Sequence, residues 1–466
     1  ASTYSGPFTG LDLTVTIPPS SSSRRALRAS FLVAAVVLGP VAAAAEPARV
    51  IVREGAAQTS PGSSLEDLLT PSAAAKLTVD VLTARMLDAG PAESARFLRT
   101  LEAAAVRAQR DGAPVSHLAR VGGTVRRVPA KIASVIGRAE VPRRARTDAI
   151  GVALEVLRRD PTERTLATLV ALLERGGPVE AADAAGLEPG VVAVVRELSG
   201  ARIGTKPQVA RLVDAASPHL AVAVVDGLAQ GGAPDHSLAR LVGLLGRTPS
   251  LDGALLNRIQ IVAGRHAVAA DQEMLARIAR YLEHDRSFVR DGAAAALGSL
   301  GDRENVPDLI ALLDDPAGSV REVAHASLKE LTSMTIAGDP VRWELWLERQ
   351  EVWWLEEGQA LVARIEAAPR AELIEILRQT CTKRLYHREI APALLELVER
   401  GDVDSIEIAL SALGTLRPPS ALPAIRQLRD HRDPLVRRRA NAALRAYRHA
   451  EMTEPLQVPP GLEQGL

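Results

Sequence analysis

Nine histidines, one cysteine and four tryptophans carry most of the chemistry that this 466-residue chain could perform. The histidines are scattered, and no two stand at metal-ligand spacing. No H-E-x-x-H, G-x-S-x-G or G-x-x-x-x-G-K-[ST] run occurs. "GARIGTK" at 200–206 has the composition of a phosphate loop but the wrong spacing. Cys381, being alone, excludes an internal disulfide and any cysteine-based zinc or iron–sulfur site. In "RQTCTKRLYHRE" it stands near Lys383, Arg384 and His387, cations that could activate a thiol; the plainer reading is a buried, inert cysteine. No catalytic residue, metal or cofactor is expected, and the chain is read as a non-enzyme.

The tryptophans are concentrated. Trp343, Trp346, Trp353 and Trp354 all fall in "DPVRWELWLERQEVWW", residues 339–354, of a chain with 3% aromatics. Asp339-Pro340 is a helix start, with Asp as N-cap and Pro as first residue. At about 100° per residue the four indoles share an arc of about 100°, the width of a buried stripe. Glu344, Glu348 and Glu351 lie off that face. Such a helix is expected to plug the apolar end of a stack or to form a hinge between two stacks. An aromatic groove for a sugar or peptide is the rival reading.

The elements that must position these residues repeat. Val289-Ala293-Leu297-Leu300 recurs 31 residues later as Val320-Ala324-Leu328-Leu331. Ser405-Ala409-Leu413-Leu416 likewise recurs 31 residues later as Val436-Ala440-Leu444-Tyr447. Offsets of 0, 4, 8 and 11 place four residues on one helical face, and the alanine lets a neighbouring helix approach closely. Shorter helices, "VPDLIALLDD" and "ALPAIRQLRD", lie between the copies. Each unit is thus a helix pair that must stack on its neighbours to bury its stripe. An all-α fold follows, a solenoid of stacked antiparallel helix pairs.

"DRSFVRDGAAAALGSLGDRENVPDLIALLDDPAGSVREVAHASLKELT" resembles HEAT repeats of the short bacterial type, as found also in bilin lyases. The marks are D-x-x-x-V-R-x-x-A-x-x-x-L-G-x-L-G-D, and they match over 285–332 and again at 433–447. The unit at Gly401 departs from them, with Ile406 in place of the arginine. The resemblance implies a fold and nothing catalytic; HEAT-type hydroxylases use His-Glu dipeptides, and this chain has none. It is also similar to exported bacterial HEAT proteins in which a Trp-x-x-Trp segment closes a repeat block.

The repeat residues have expected roles. Asp285 and Asp433 sit where N-caps belong. Arg290, Arg321 and Arg437 fall in the first helical turn, a poor place for a cation beside the helix dipole. The resemblance implies that they pair with acids of the adjacent turn; an arginine row that binds an anion is the alternative. Opposite Ala324 stand Glu322, His325 and Lys329, expected to face a protein partner. Arg438, Arg439 and Arg445 are a second candidate surface, within a run of eight arginines between Arg426 and Arg448. Those arginines could dock an acidic protein or cap the end of the stack. Formal net charge is zero, and only Lys76, Lys131, Lys206, Lys329 and Lys383 are lysines, so no nucleic-acid partner is expected.

Residues 23–45 read as a secretory signal: a basic start at Arg24, Arg25 and Arg28, an apolar run, and small residues at Ala43 and Ala45. Cleavage before Glu46 is expected, with retention as a membrane anchor the alternative. The expected plan is an upstream extension at 1–22, a signal at 23–45, a flexible linker at 46–75 and a helical region at 76–146. HEAT-like repeats follow at 147–333, regular from 285. A Trp-rich plug or hinge occupies 334–369, C-terminal repeats 370–449 and a disordered tail 450–466. The expected function is a monomeric protein-interaction scaffold, periplasmic or secreted. A lyase-like envelope subunit or a membrane-attached adaptor is the alternative.

Overall fold

The computed structural model describes residues 64–137, 141–177, 179–204, 206–301 and 303–448. The extension 1–22, the signal 23–45 and the tail 450–466 lie outside these residues. All described residues belong to one unit of the chain, 47–466, and none forms a β-strand.

The helices are α1 (Pro71–Ala75), α2 (Val79–Arg110), α3 (Ser116–Val125), α4 (Val128–Ile136), α5 (Arg143–Leu157) and α6 (Glu163–Gly176). Next come α7 (Ala181–Gly200), α8 (Lys206–Ala215), α9 (Pro218–Gln230), α10 (Pro234–Leu244), α11 (Asp252–Arg265) and α12 (Gln272–Ala279). The regular repeats hold α13 (Ser287–Leu300), α14 (Val306–Ala311) and α15 (Gly318–Thr332). The tryptophan segment supplies α16 (Pro340–Trp353), a π turn (Trp354–Gly358) and α17 (Gln359–Arg364). The chain then returns to pairs with α18 (Arg370–Thr380), α19 (His387–Arg400), α20 (Val403–Leu416), α21 (Leu422–Gln427) and α22 (Pro434–Arg448).

Alternate helices stack into rows. One row runs α5, α7, α9, α11, α13, α15, each against the next, and α4, α6, α8, α10 and α12 form its companion. Beyond the tryptophan segment α20 packs on both α19 and α22. The reason lies in the recurring stripe. Ala293, Ala324, Ala409 and Ala440 are all fully buried, as are Leu297, Leu328 and Leu413. Gly298 shows how near the helices come, since a Cβ there would lie 2.5 Å from the Ser327 Cβ. Ser405, Leu444 and Tyr447 are the members of the stripe that stay partly exposed. The fold is an all-α solenoid.

Residues 64–75 are not a linker. Leu65–Leu69 forms a 3₁₀ turn and α1 follows, with Leu65, Leu68 and Ala74 buried against α2 and α3. Three apolar side chains outweigh the turn-forming composition that marked the segment as flexible. The 76–146 region joins the same stack through α2 on α5 and α4 on α6. Its long α2 is two helices joined at Gly90, whose φ of 78° only glycine adopts readily, next to Pro91. No helix of the described residues is long and apolar enough to cross a membrane.

Candidate interaction site

The repeat arginines close their own turns. Arg290 Nη1 donates to the His284 and Asp285 carbonyls at 2.7 and 3.1 Å. Arg321 treats Asp315 and Pro316 the same way, at 2.6 and 3.3 Å. Arg437 does so with His431 and Arg432, at 2.8 and 2.9 Å. In each case the acceptors stand six and five residues back, so the cation is spent on the loop that precedes its helix. Arg290 also grips Asp315 of the next unit with two bonds of 2.8 and 2.9 Å. That contact holds the Asp315 carboxyl below its ordinary value, through the Arg290 hydrogen bonds and with help from the Ala317 N–H. Of the three, Arg290 meets an acid as the resemblance implied, whereas the bonds of Arg321 and Arg437 go to loop carbonyls.

Asp433 caps α22, accepting from the Leu435 N–H at 2.7 Å. Asp285 does not cap α13: the N-cap is Arg286, with no side-chain bond, because the helix begins one residue later than the pattern placed it. Of the expected partner-facing trio, Glu322 is exposed and Lys329 half-buried. His325 is used internally. Its Nε2–H donates to the Ile336 carbonyl at 2.7 Å, and its ring meets Trp343 edge-on at 6.4 Å. Arg438 and Arg445 are exposed and meet no acid among the described residues, whereas Arg439 is tied to Glu407 of α20 at 2.7 Å. Cys381 is not activated; burial pushes its thiol up to about 11.

The tryptophans divide into two pairs. Trp343 is completely buried and meets Trp346 edge-on at 5.6 Å, beside His325 of α15. Its Nε1–H finds no partner among the described residues. Trp353 and Trp354 instead surround Tyr386, with Trp354 stacked on it at 4.5 Å and 9°. Tyr386 donates to the Gln350 carbonyl at 2.8 Å, and Lys383 lies over Trp353 at 4.7 Å. One pair therefore holds the preceding repeats and the other the following ones. The segment is a splice between two blocks rather than a lid on one stack.

The same helix exposes a second apolar face. Val341, Leu345, Val352 and Leu355 are 60, 41, 45 and 71% exposed. At about 100° per residue the first three lie within about 40°, with Trp343 about 180° away from Val352. Exposed Glu348 falls within the same arc, so the apolar side chains on this side are interleaved with a charge.

A feature absent from any local pattern lies where the two blocks meet. The C-terminal ends of α11, α13, α15, α20 and α22 converge around a cavity of about 110 Å³ lined by Glu330, Arg384, His387, Arg417 and Tyr447. A second cavity, about 360 Å³, shares Gly264, Ala267 and Tyr447 with it and adds Arg265, His266, Arg426 and Arg429. Contacts across this seam join the two blocks: Arg384 bonds Ser333 Oγ, Arg388 Nη2 donates to the Ala270 carbonyl at 3.2 Å, and Arg303 faces Glu389 at 3.5 Å. Burial, with Arg417 adding to it, brings the Arg384 guanidinium down to about 10. The surrounding protein likewise raises the Glu330 carboxyl, although solvent reaches it. Among the described residues no group of three or more His, Cys, Asp or Glu is placed to hold a metal.

Stacked helix pairs, tied turn by turn by buried alanines and loop-closing arginines, define an α-solenoid. Residues 258–329 match the family of HEAT repeats, so the chain carries HEAT repeats there. No curated protein matches the chain. Among solved structures, an engineered protein is similar at 14% identity over 83% of this chain and 99% of that one, with a TM-score of 0.29. A designed armadillo repeat protein in complex with a (KR)4 peptide matches at 16% over 60% of this chain and 99% of that one, with a TM-score of 0.19. Kap121p matches at 11% over 83% of this chain and 49% of that one, with a TM-score of 0.20.

Proposed function

We propose that the chain is a non-catalytic protein-interaction scaffold, exported to the bacterial envelope. The observation that carries the interaction role is the exposed apolar face of α16, formed by Val341, Leu345, Val352 and Leu355. Burying these four apolar side chains against a partner recovers about 25 cal/mol for each apolar Å² covered, with Glu348 among them left to pair or stay wet. The HEAT repeats at 258–329 supply a mount on the N-terminal side, and folds of this kind typically act without catalysis. Export is supported by the signal-like residues 23–45.

The test is photo-crosslinking in the producing cell, with the reactive residue placed at Leu345 or Leu355 and, as control, at exposed Arg144. A discrete adduct at the α16 positions, absent at Arg144 and found in the envelope fraction, is expected. No adduct at α16, or the same adducts at all three positions, would end the scaffold reading. A cytoplasmic product with an intact residue 23–45 segment would end the export reading alone.

A further inference from the structure

We infer that the seam between the two repeat blocks is a binding cleft for an acidic peptide segment, whose carboxylates are received by Arg417, Arg384, Arg265, Arg426 and Arg429. The inference rests on the scaffold reading in taking the ligand to be part of a protein. It concerns a different surface from the α16 face.

The first observation is how arginine is used elsewhere. Arg143, Arg211, Arg247, Arg258, Arg290 and Arg439 each find an acid on a neighbouring helix or unit. Arg417, Arg265, Arg426 and Arg429 find none among the described residues, yet they line two adjoining cavities. Glu330 is the lone carboxylate in either lining. Helix C-termini attract cations, and five converge here. At about half a charge each, they and Glu330 offset Arg384 and Arg417 at the smaller cavity, so the unbalanced positive charge lies with Arg265, Arg426 and Arg429 at the larger one.

The second observation is shape. The guanidinium fork binds carboxylates in pairs of parallel hydrogen bonds. Arg417 and Arg384 face the smaller cavity, and Arg265, Arg426 and Arg429 the larger, so the cations follow a path through shared residues Gly264 and Ala267. A single inorganic anion would use only one end of that path; an extended chain with repeated carboxylates uses both. Stacking surface for nucleic-acid bases is lacking, since Tyr447 is the one aromatic besides the two histidines and its hydroxyl is engaged with the Pro418 carbonyl at 2.8 Å. Arg384 and Arg417 lie between helix ends, where a flat lipid surface does not enter, while Arg265, Arg426 and Arg429 stand exposed at the mouth. Arg417 also holds a left-handed backbone, with φ of 52°, which ends α20 and turns its side chain to the seam.

The experiment uses the full chain and a fluorescent hexaglutamate peptide, followed by anisotropy at low salt. Arg417→Gln with Arg426→Gln is expected to weaken binding at least about tenfold, because charge-assisted hydrogen bonds are lost. Arg438→Gln with Arg445→Gln removes the same charge outside both cavities and is expected to change binding less than about twofold, as remote surface charges are screened. Equal loss in the two double variants, or no binding by the unaltered chain, would overturn the cleft. Inorganic phosphate or a single-stranded oligonucleotide that binds in the seam while hexaglutamate does not would overturn the peptide assignment. Arg429→Gln alone, at an exposed position, repeats the test should the double variant unfold. Crosslinked adducts at α16 that survive a negative peptide result would leave the scaffold role standing without the cleft.

Discussion

Arg290 and Arg417 are the same side chain in opposite circumstances. In the regular block the arginine follows the first buried residue of its helix, so its side chain reaches back to two loop carbonyls and forward to Asp315. At the seam the arginine follows the last buried residue of α20, beyond the helix, where no loop of its own awaits it. Position relative to the turn decides whether the cation is consumed by the fold or left for a ligand. In the regular block Arg290 is matched by Asp315, whereas Arg417 at the seam meets no carboxylate among the described residues.

The comparison breaks most visibly at the end of the regular block. Trp343→Ala should cost about 3–5 kcal/mol, since it removes a fully buried indole of α16 that packs on His325 of α15. Urea unfolding would measure it, and a loss below about 1 kcal/mol would mean that the splice does not stabilise the block. Arg290→Met should destabilise by less, and in a pH-dependent way. Because Arg290 depresses the Asp315 carboxyl in the folded state, the pair contributes fully above the ordinary aspartate value of about 4. That contribution disappears as pH falls through the depressed value, so the unaltered chain should lose stability on acidification more steeply than Arg290→Met. Parallel acid limbs in thermal melts would show that the pair adds nothing. The smallest effect is expected from Arg417→Gln, which breaks no bond to a described residue. Its unfolding midpoint should stay within about 0.5 kcal/mol of the unaltered chain. A large loss there would mean that this arginine, too, is spent on the fold.

The repeat stripe was legible because it is local: four residues within twelve, with alanine where helices touch. The arginine after valine was legible as a structural residue, though its carbonyl acceptors were not, because loop geometry is invisible in a residue pattern. His325 and Arg439 looked free in the sequence, and only packing showed that Trp343 and Glu407 claim them. The tryptophans were readable as one helical face but not as two pairs, since the second partner, Tyr386, lies two helices further on. The seam was beyond reach altogether. Arg265 and Arg426 come together through the stacking of every intervening pair, and no short-range period encodes that.

The π turn after Trp353 also bears on how the two blocks are phased. A π turn closes its rings with one residue more than an α-helix, so everything after it is rotated by about 100° from where an unbroken helix would have carried it. Gly358 makes the wide turn possible, because a methyl group there would press within 2.6 Å of the Trp354 ring. The turn acts as a one-residue gear tooth: it resets which way the second block faces, and with that the angle at which α20 and α22 aim their arginine-bearing ends back at the first.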